Sequence, residues 1–393
     1  MPRKAAASAT GPPGRVGDLI HKQRAAMHMT VAQLAARVGV SRNTITNYEA
    51  GKTEPGVSEL VRLSAALSCT IQDLLYAETA AAPPRFAFRA HAPLRKDPSI
   101  TVAARKYVRA YDEIEEITHS RLQVKLRKFG GDDGRPLRNR EIEMAADTLR
   151  RASGIHYTGP ENIAGTLESL GVRTLFFEHP TKGLDAISTV QGDMVLVMLR
   201  DRKRVVERTI FSAAHELGHL ALHPHLFTNE EQQADGESKR YEDEANRFAG
   251  NFLVPSDELV RIWKEERLDR LCLFNALILL KRVFHVSFHC LYFRVTELRL
   301  HPPIDRAIFT NQIKQHLGIV GRAKIDDLEP DPLDPQVLYR TTRFSRLVRS
   351  AFIQELIGVS KVAEMFQVTV ERAQEIATDW LRPKHELVGD GPV

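Results

Sequence analysis

Cysteine is scarce in this chain of 393 residues: Cys69, Cys272 and Cys290 are all it has. They form no CxxC pair and no even set, so a disulfide framework and a cysteine zinc knuckle are both excluded. That usage fits a reducing compartment, and a cytoplasmic protein is expected. Long apolar runs are lacking too. The best, from Leu271 to Leu280, contains Asn275 and falls short of the roughly 20 residues that cross a bilayer, so no membrane partner is expected. The opening residues, MPRKAAASATGPPG, are small and basic without an apolar signal core, and 1–14 read as a disordered tail. There is no long internal repeat. Nor is there a strong excess of one charge: the formal net charge is +5, too small to argue nucleic-acid binding alone but enough for one basic patch. What remains is a globular composition, 43% hydrophobic and 27% charged, with 15 histidines. At ~100–200 residues per domain, the length allows two or three domains.

Residues 16–75 read as short helices with short connections. Val16, Leu19, Ile20 and Gln23 open the first at helical spacing. Thr30 precedes VAQLAARV as an N-cap should, Gly39 breaks that helix, Ser41 caps RNTITNYEA, and Gly51 ends it. Two more helices are expected near 58–67 and 71–75. Residues 79–95 read as a linker with some packed aromatics. A mostly polar helix is expected over about 101–128, with EIEEI at 113–117 as a solvated face. The Gly/Asp cluster at 130–136 marks a turn and a domain edge. Helices follow at 141–152 and 161–170. GVRTLFF (171–177), AISTV (186–190) and DMVLVML (193–199) have strand composition, with Gln191-Gly192 as a hairpin turn between the last two. Helices are expected again at about 204–222, 238–252, 256–267, 270–283 and 287–297. Residues 305–393 read as helical and basic, with a loop at EPDPLDP (329–335). SKVAEMFQVTVERAQEI (360–376) echoes the rhythm of TVAQLAARVGVSRNTITNYE (30–49). The fold class is therefore α+β: mainly helical, with a small sheet.

The first constellation lies in 30–55. Ala35 is small where two helices must cross closely, Val40 anchors the turn at Gly39, and Ile45 and Tyr48 face the core. The exposed positions of the second helix are Ser41, Arg42, Asn43, Thr44 and Asn47. These are short polar or bidentate side chains, of the kind that reach base edges in a major groove. Thr30, Gln33 and Lys52 are placed to touch phosphates, which position a protein without specifying sequence. Residues 1–80 hold nine Lys and Arg against six Asp and Glu, a mildly basic balance that suits a small DNA reader. Residues 15–76 as a whole resemble the five-helix XRE/Cro-type DNA-binding domain. The resemblance implies a double-stranded DNA operator as partner, read by a homodimer on two half-sites or at a bent tandem site.

The second constellation is HELGH at 215–219. His215 and His219 are four apart and project from one face of a helix, with Glu216 beside them. Two neutral imidazoles and a third ligand make an open tetrahedral zinc site, and the adjoining glutamate can take a proton from an attacking water. The flanking sequence puts Val206, Ile210, Ala213, Ala214, Leu217 and Leu220 on the apolar side. A third ligand is expected from RYEDEANRFAGNFLVP at 240–255. Glu242 and Asn246 are one turn apart there; with Glu242 on the metal, Asn246 reaches the outer nitrogen of a histidine ligand. Glu244 competes with Glu242. The two point ~200° apart around the helix, so only one can face the metal. His223 continues the histidine face as a packing or supporting residue, and His285, His289 and His301 are expected to do no chemistry.

This combination resembles the ImmA/IrrE metallopeptidase family of bacteria and their mobile elements. The matching residues are HELGH with Arg208 and Phe211 before it and Leu222-His223 after it, and Glu-x-x-Ala-Asn-x-Phe-Ala…Leu-x-Pro at 242–255. The likeness covers about 135–300. It takes in Ala-Ala-Asp-x-Leu-Arg at 145–150, GVRTLFF, and GLDAIS at 183–188, where Ala186 replaces the glycine of an Asp-Gly pair. It implies one Zn2+ per chain on His215, His219 and Glu242, with Glu216 as general base and Asn246 orienting a ligand. The layout of reader, linker with Phe86, Phe88 and Arg89, then peptidase is similar to XRE-type regulators with a fused ImmA/IrrE domain. The segment 360–376 is similar to the small helical element that often closes that family.

The expected division is a reader at 15–78, a linker and helical connector at 79–134, a metallopeptidase at 135–304 and a helical C-terminal region at 305–393. The expected function is a DNA-binding regulator whose zinc endopeptidase cleaves a repressor or another specific protein. The alternative is a ligand-sensing transcription factor whose peptidase-like domain binds metal or effector without proteolysis. Residues 193–199 are expected to be an edge strand to which an extended substrate adds. His223, His225, Tyr241 and Arg208 are unranked candidates for an oxyanion donor. Phe284, Phe288, Tyr292 and Phe293 have helical spacing and read as core, or else as the lining of a ligand cavity.

Overall fold

The structure is a computed structural model and describes residues 16–27, 29–67, 69, 71–75, 85–87, 98–131, 134–155, 159–160, 162–178, 184–200, 206–227, 235–319, 329–334 and 342–382. The tail at 1–14, Phe88, Arg89 and most of the 79–95 linker lie outside them. The chain divides into two compact units, Met1–Pro84 with His91–Arg109, and Arg85–Ala90 with Ala110–Val393.

The first unit holds α1 (Val16–Ala26), α2 (Val31–Val38), α3 (Arg42–Glu49), α4 (Val57–Leu67) and α5 (Ile71–Leu75). Ile20, Leu34, Ile45, Leu63, Leu67 and Leu74 are fully buried at their common centre. Gly39 ends α2 at φ 72°, a left-handed turn that glycine enters without steric cost. Arg24 locks α1 to α3 through Glu49, at 2.5 and 2.8 Å. Burial pushes the Glu49 carboxyl up, but the hydrogen bonds from Arg24 and His21 outweigh it and leave it below its ordinary value. The first part of α6 (Pro98–Ile117) gives this unit Arg105, which donates to Gln23 at 3.0 Å with both residues buried.

The second unit is built on a four-stranded sheet of β1 (Arg85–Ala87), β2 (Arg173–Phe177), β3 (Ala186–Gln191) and β4 (Met194–Arg200), in the order β1-β3-β4-β2. Its helices are α7 (Asn139–Ala152), α8 (Ile163–Ser169), α9 (Val206–Leu222), α10 (Asp235–Leu253), α11 (Ser256–Glu265), α12 (Leu273–Phe284), α13 (Phe288–Glu297), α14 (Arg306–His316), α15 (Arg343–Ile353), α16 (Val359–Phe366) and α17 (Val370–Leu381). β3 and β4 form an antiparallel hairpin and β2 joins β4 in parallel. Gln191 opposite Met194 places Gly192 and Asp193 at the hairpin turn, one residue later than expected. α9 rests on β3 and β4, and α10 packs across it. Gly218 makes that crossing close: a Cβ there would stand 3.0 Å from Phe248 and 3.3 Å from the Ala245 carbonyl. Among the described residues no single helix is long and apolar enough to cross a membrane.

Four sequence expectations need correction. The strand at 193–199 is not an edge: β4 lies between β3 and β2, with six of its seven residues buried. Its uninterrupted MVLVML is what a strand covered on both faces looks like. The helix expected to reach 128 stops at Ile117, with His119 in a left-handed turn at φ 48°. Beyond it, Leu122, Val124 and Leu126 alternate at the period of extended chain, not of a helix. The EIEEI stretch is not a solvated face. Glu115 is fully buried between Arg173, at 2.6 Å, and Arg343, at 2.5 Å. Phe284, Phe288 and Tyr292 are core, but Phe293 is half exposed with the Arg306 guanidinium 5.9 Å above its ring.

The echo at 360–376 is geometric. α16 and α2 are both eight residues long, and each ends in a left-handed residue, Gln367 at φ 56° and Gly39 at φ 72°. The Val368 amide donates to the Ala363 carbonyl at 3.0 Å, as Val40 does to Ala35 at 3.0 Å. Thr369 caps α17 as Ser41 caps α3. The exposed face of α17, however, carries Glu371 and Glu375, and its Arg372 is paired to Glu375 at 2.5 Å, a surface that phosphates would repel.

Candidate metal centre and nucleic-acid interface

On α3, Arg42 and Asn43 are exposed and Asn47 is half-buried. The buried Ile45 and Tyr48 set this orientation by anchoring the opposite face. Ser41 accepts from the Thr44 amide at 3.1 Å and its hydroxyl lies 2.8 Å from that of Thr44. Thr30 and Gln33 form a reciprocal capping box: the Gln33 amide donates to Thr30 at 3.2 Å and the Thr30 amide to Gln33 at 2.8 Å. Both residues are exposed, but their oxygens already cap α2. Lys52 is exposed just beyond α3. Of the residues expected to contact DNA, Ser41, Arg42, Asn43, Thr44, Asn47 and Lys52 lie on α3 and its flanks, while Thr30 and Gln33 lie at the start of α2.

In the second unit, α9 and α10 bring His215, His219 and Glu242 together, with their ligand atoms all within 4.8 Å of one another. The two Nε2 atoms are 2.9 Å apart, and Glu242 lies 3.2 Å from His215 and 3.8 Å from His219. Metal–ligand bonds of about 2.0–2.1 Å in a tetrahedron set donor atoms roughly 3.3 Å apart. Two imidazoles and a carboxylate at these spacings fit a divalent metal and leave a fourth position open.

The outer nitrogens are held as well. Asn246 Oδ1 lies 2.9 Å from Nδ1 of His215. Nδ1 of His223 lies 2.9 Å from Nδ1 of His219, and Nε2 of His223 lies 2.9 Å from Glu244. Glu244 in turn accepts from the Leu137 amide at 3.2 Å. Such contacts fix which ring nitrogen carries hydrogen and turn the other toward the point where the ligand atoms converge. Burial pushes the His215 imidazolium down, yet Glu242, Glu216 and Asn246 outweigh it and hold it above its ordinary value. The same carboxylates favour any cation placed there.

Glu216 is buried next to the site, and the Ser188 hydroxyl on β3 donates to it. Arg208, a candidate oxyanion donor, is instead paired with Asp185 at 2.7 Å, tying the start of α9 to the chain entering β3. His225 and Tyr241 cluster with His223, at ring separations of 6.3 and 4.8 Å. Sequence reasoning missed Ser188, the partner role of Glu244, and the specific use of His223. The spacing of His223, four beyond His219, was the one available signal.

These two sites define a class of protein: a helix-turn-helix DNA-binding unit joined to a peptidase-like unit. Residues 20–74 match the family described as helix-turn-helix, and residues 167–296 the family described as IrrE N-terminal-like domain. The chain therefore carries a helix-turn-helix domain and an IrrE-like domain. A solved structure described as a Mycobacterium tuberculosis transcriptional regulator is similar over 48% of this chain and 62% of its own, at 18% identity and a TM-score of 0.31. The chain thus spans less than two thirds of that regulator. No curated protein matches the chain.

Proposed function

We propose that this regulator is a zinc-dependent endopeptidase that cleaves a repressor or another specific protein and so changes transcription. One observation carries the reading: the ligand atoms of His215, His219 and Glu242 converge within 4.8 Å beside the buried Glu216. Zinc is the ion proposed because two imidazoles, one carboxylate and an open fourth position are the donor set of catalytic zinc sites. When bound, zinc supplies Lewis-acid polarisation of the peptide carbonyl and makes water more acidic.

The residues of the chain do the rest. Glu216 takes the proton of the attacking water and returns it to the leaving amine. Ser188 holds one oxygen of Glu216 in place. Asn246 and the His223–Glu244 pair keep both imidazoles turned inward. In the first unit, α3 enters the major groove, with Ser41, Arg42, Asn43, Thr44 and Asn47 toward base edges. Thr30, Gln33 and Lys52 lie toward phosphates, and a homodimer spans two half-sites in the cytoplasm.

The test compares cells carrying the wild-type chain with cells carrying Glu216→Gln, by DNA-occupancy mapping and a search for newly cleaved proteins. We expect occupancy to persist while cleavage products and target-gene induction disappear. Unchanged gene output with no cleavage that depends on Glu216 refutes proteolysis and leaves a metal- or effector-sensing regulator.

A further inference from the structure

β1 is only three residues long, and it is supplied from far upstream of the strand it joins. It pairs antiparallel with β3, with Arg85 opposite Val190, Phe86 opposite Thr189 and Ala87 opposite Ser188. Without it, β3 is the outer strand of the sheet. Ser188 is also the residue whose hydroxyl donates to Glu216. The backbone of β1 therefore passes directly opposite the residue that touches the proposed general base. β1 further meets the 3₁₀ turn Pro224–Phe227, which directly follows His223 at the end of the histidine helix.

A bare strand edge takes up extended peptides through main-chain hydrogen bonds, which are nearly indifferent to sequence. We propose that the β3 edge is the substrate-binding edge of the peptidase and that residues 85–87 occupy it as an internal competitor. The inference rests on the peptidase reading and adds to it the substrate form, an extended segment antiparallel to β3, and a built-in restraint. A tethered strand competes at an effective concentration of order millimolar. Substrates must displace it, so flexible segments that bind the edge weakly are excluded. The competing strand also lies in the chain between the DNA-reading helices and the peptidase fold.

The test measures binding of a fluorescein-labelled peptide with the sequence of residues 81–94 to the full-length chain. Glu216→Gln is the background, so that the peptide stays whole. The comparison is between intact β1 and a variant in which Arg85→Gly, Phe86→Pro and Ala87→Gly remove its pairing. For an edge with intrinsic affinity near 100 μM, a competitor at roughly 1 mM weakens binding about tenfold. We expect the variant to bind at least tenfold more tightly. A smaller difference, or no binding to either, overturns the proposal. Hydrogen exchange on the chain with intact β1 gives a second reading that needs no variant of the strand. Millimolar peptide should speed exchange at 85–87 while 188–190 stay protected, and unchanged exchange at 85–87 overturns the proposal. Binding is read without turnover. A chain that never cuts still shows the tenfold difference, and one that cuts without it refutes the strand assignment alone.

Discussion

Nδ1 of His223 lies 2.9 Å from Nδ1 of His219. His223 thus joins a proposed metal ligand to Glu244, 2.9 Å from its other nitrogen. One proton on each ring orients the chain: His219 donates to His223, His223 donates to Glu244, and Nε2 of His219 is left with its lone pair toward the centre. Glu244→Gln or His223→Ala is expected to weaken zinc binding roughly 10–100-fold. Competition with a chromophoric chelator measures this. Wild-type affinity in both variants removes the supporting role.

Gly218 lets α10 approach α9, and a methyl group there meets Phe248 at 3.0 Å. Gly218→Ala is expected to cost about 1–3 kcal/mol and to weaken the metal site, because Glu242 and Asn246 ride on α10. Denaturant titration and zinc titration together check it; a stable variant with full affinity contradicts the close-packing argument.

On the DNA side, Arg42→Ala or Asn43→Ala is expected to lose roughly 1–3 kcal/mol on the mapped operator and to relax discrimination at one base position. Lys52→Ala should weaken all sequences alike and reduce the salt slope by about 1. Thr30→Ala should also lower the melting stability of the first unit, by about 1 kcal/mol, because its oxygen caps α2. Fluorescence anisotropy across salt concentrations and thermal unfolding separate these outcomes.

Lys281 is buried between Glu207 at 2.7 Å and Glu329 at 2.5 Å. One cation cannot neutralise two carboxylates, and burial pushes Glu329 up from 4.5 to about 7. An acid with a raised value in the folded state takes up a proton on folding. Its contribution is full below about pH 4.5 and is lost as pH rises toward 7, a change of up to about 3 kcal/mol. Glu329→Gln is expected to flatten that decline, since Lys281 keeps Glu207. Chemical denaturation at pH 5 and 7.5 compares the slopes; equal slopes contradict the assignment.

Glu115→Ala strands Arg173, which is fully buried, and is expected to cost about 3–5 kcal/mol. The exposed neighbour Glu116 should tolerate the same change within about 0.5 kcal/mol. Similar losses in both variants rule out the buried network.

These residues also mark what the sequence made legible. HELGH and the Thr30, Gly39 and Ser41 signals are local, set by helical spacing and capping within a few residues, and each occupies the place its pattern implies. Glu242 is the carboxylate that faces the histidines, and Glu244, two residues on, turns to His223. Glu115 could not be read as buried, because its partners lie 58 and 228 residues away. Ser188 meets Glu216 across 28 residues by sheet-to-helix packing, and β1 is a strand only because β3 offers it an edge. Interactions of that kind leave no periodic trace. β4 differs: its unbroken apolar run already marks a strand covered on both faces, which is its central place in the sheet.

Zinc analysis of the purified full-length chain decides whether His215, His219 and Glu242 hold a metal. We expect about one zinc per chain, falling at least tenfold in His215→Ala and Glu242→Ala while both variants stay folded. A wild-type chain that holds no zinc when zinc is supplied, or variants that keep it, would contradict the metal centre and the peptidase reading with it.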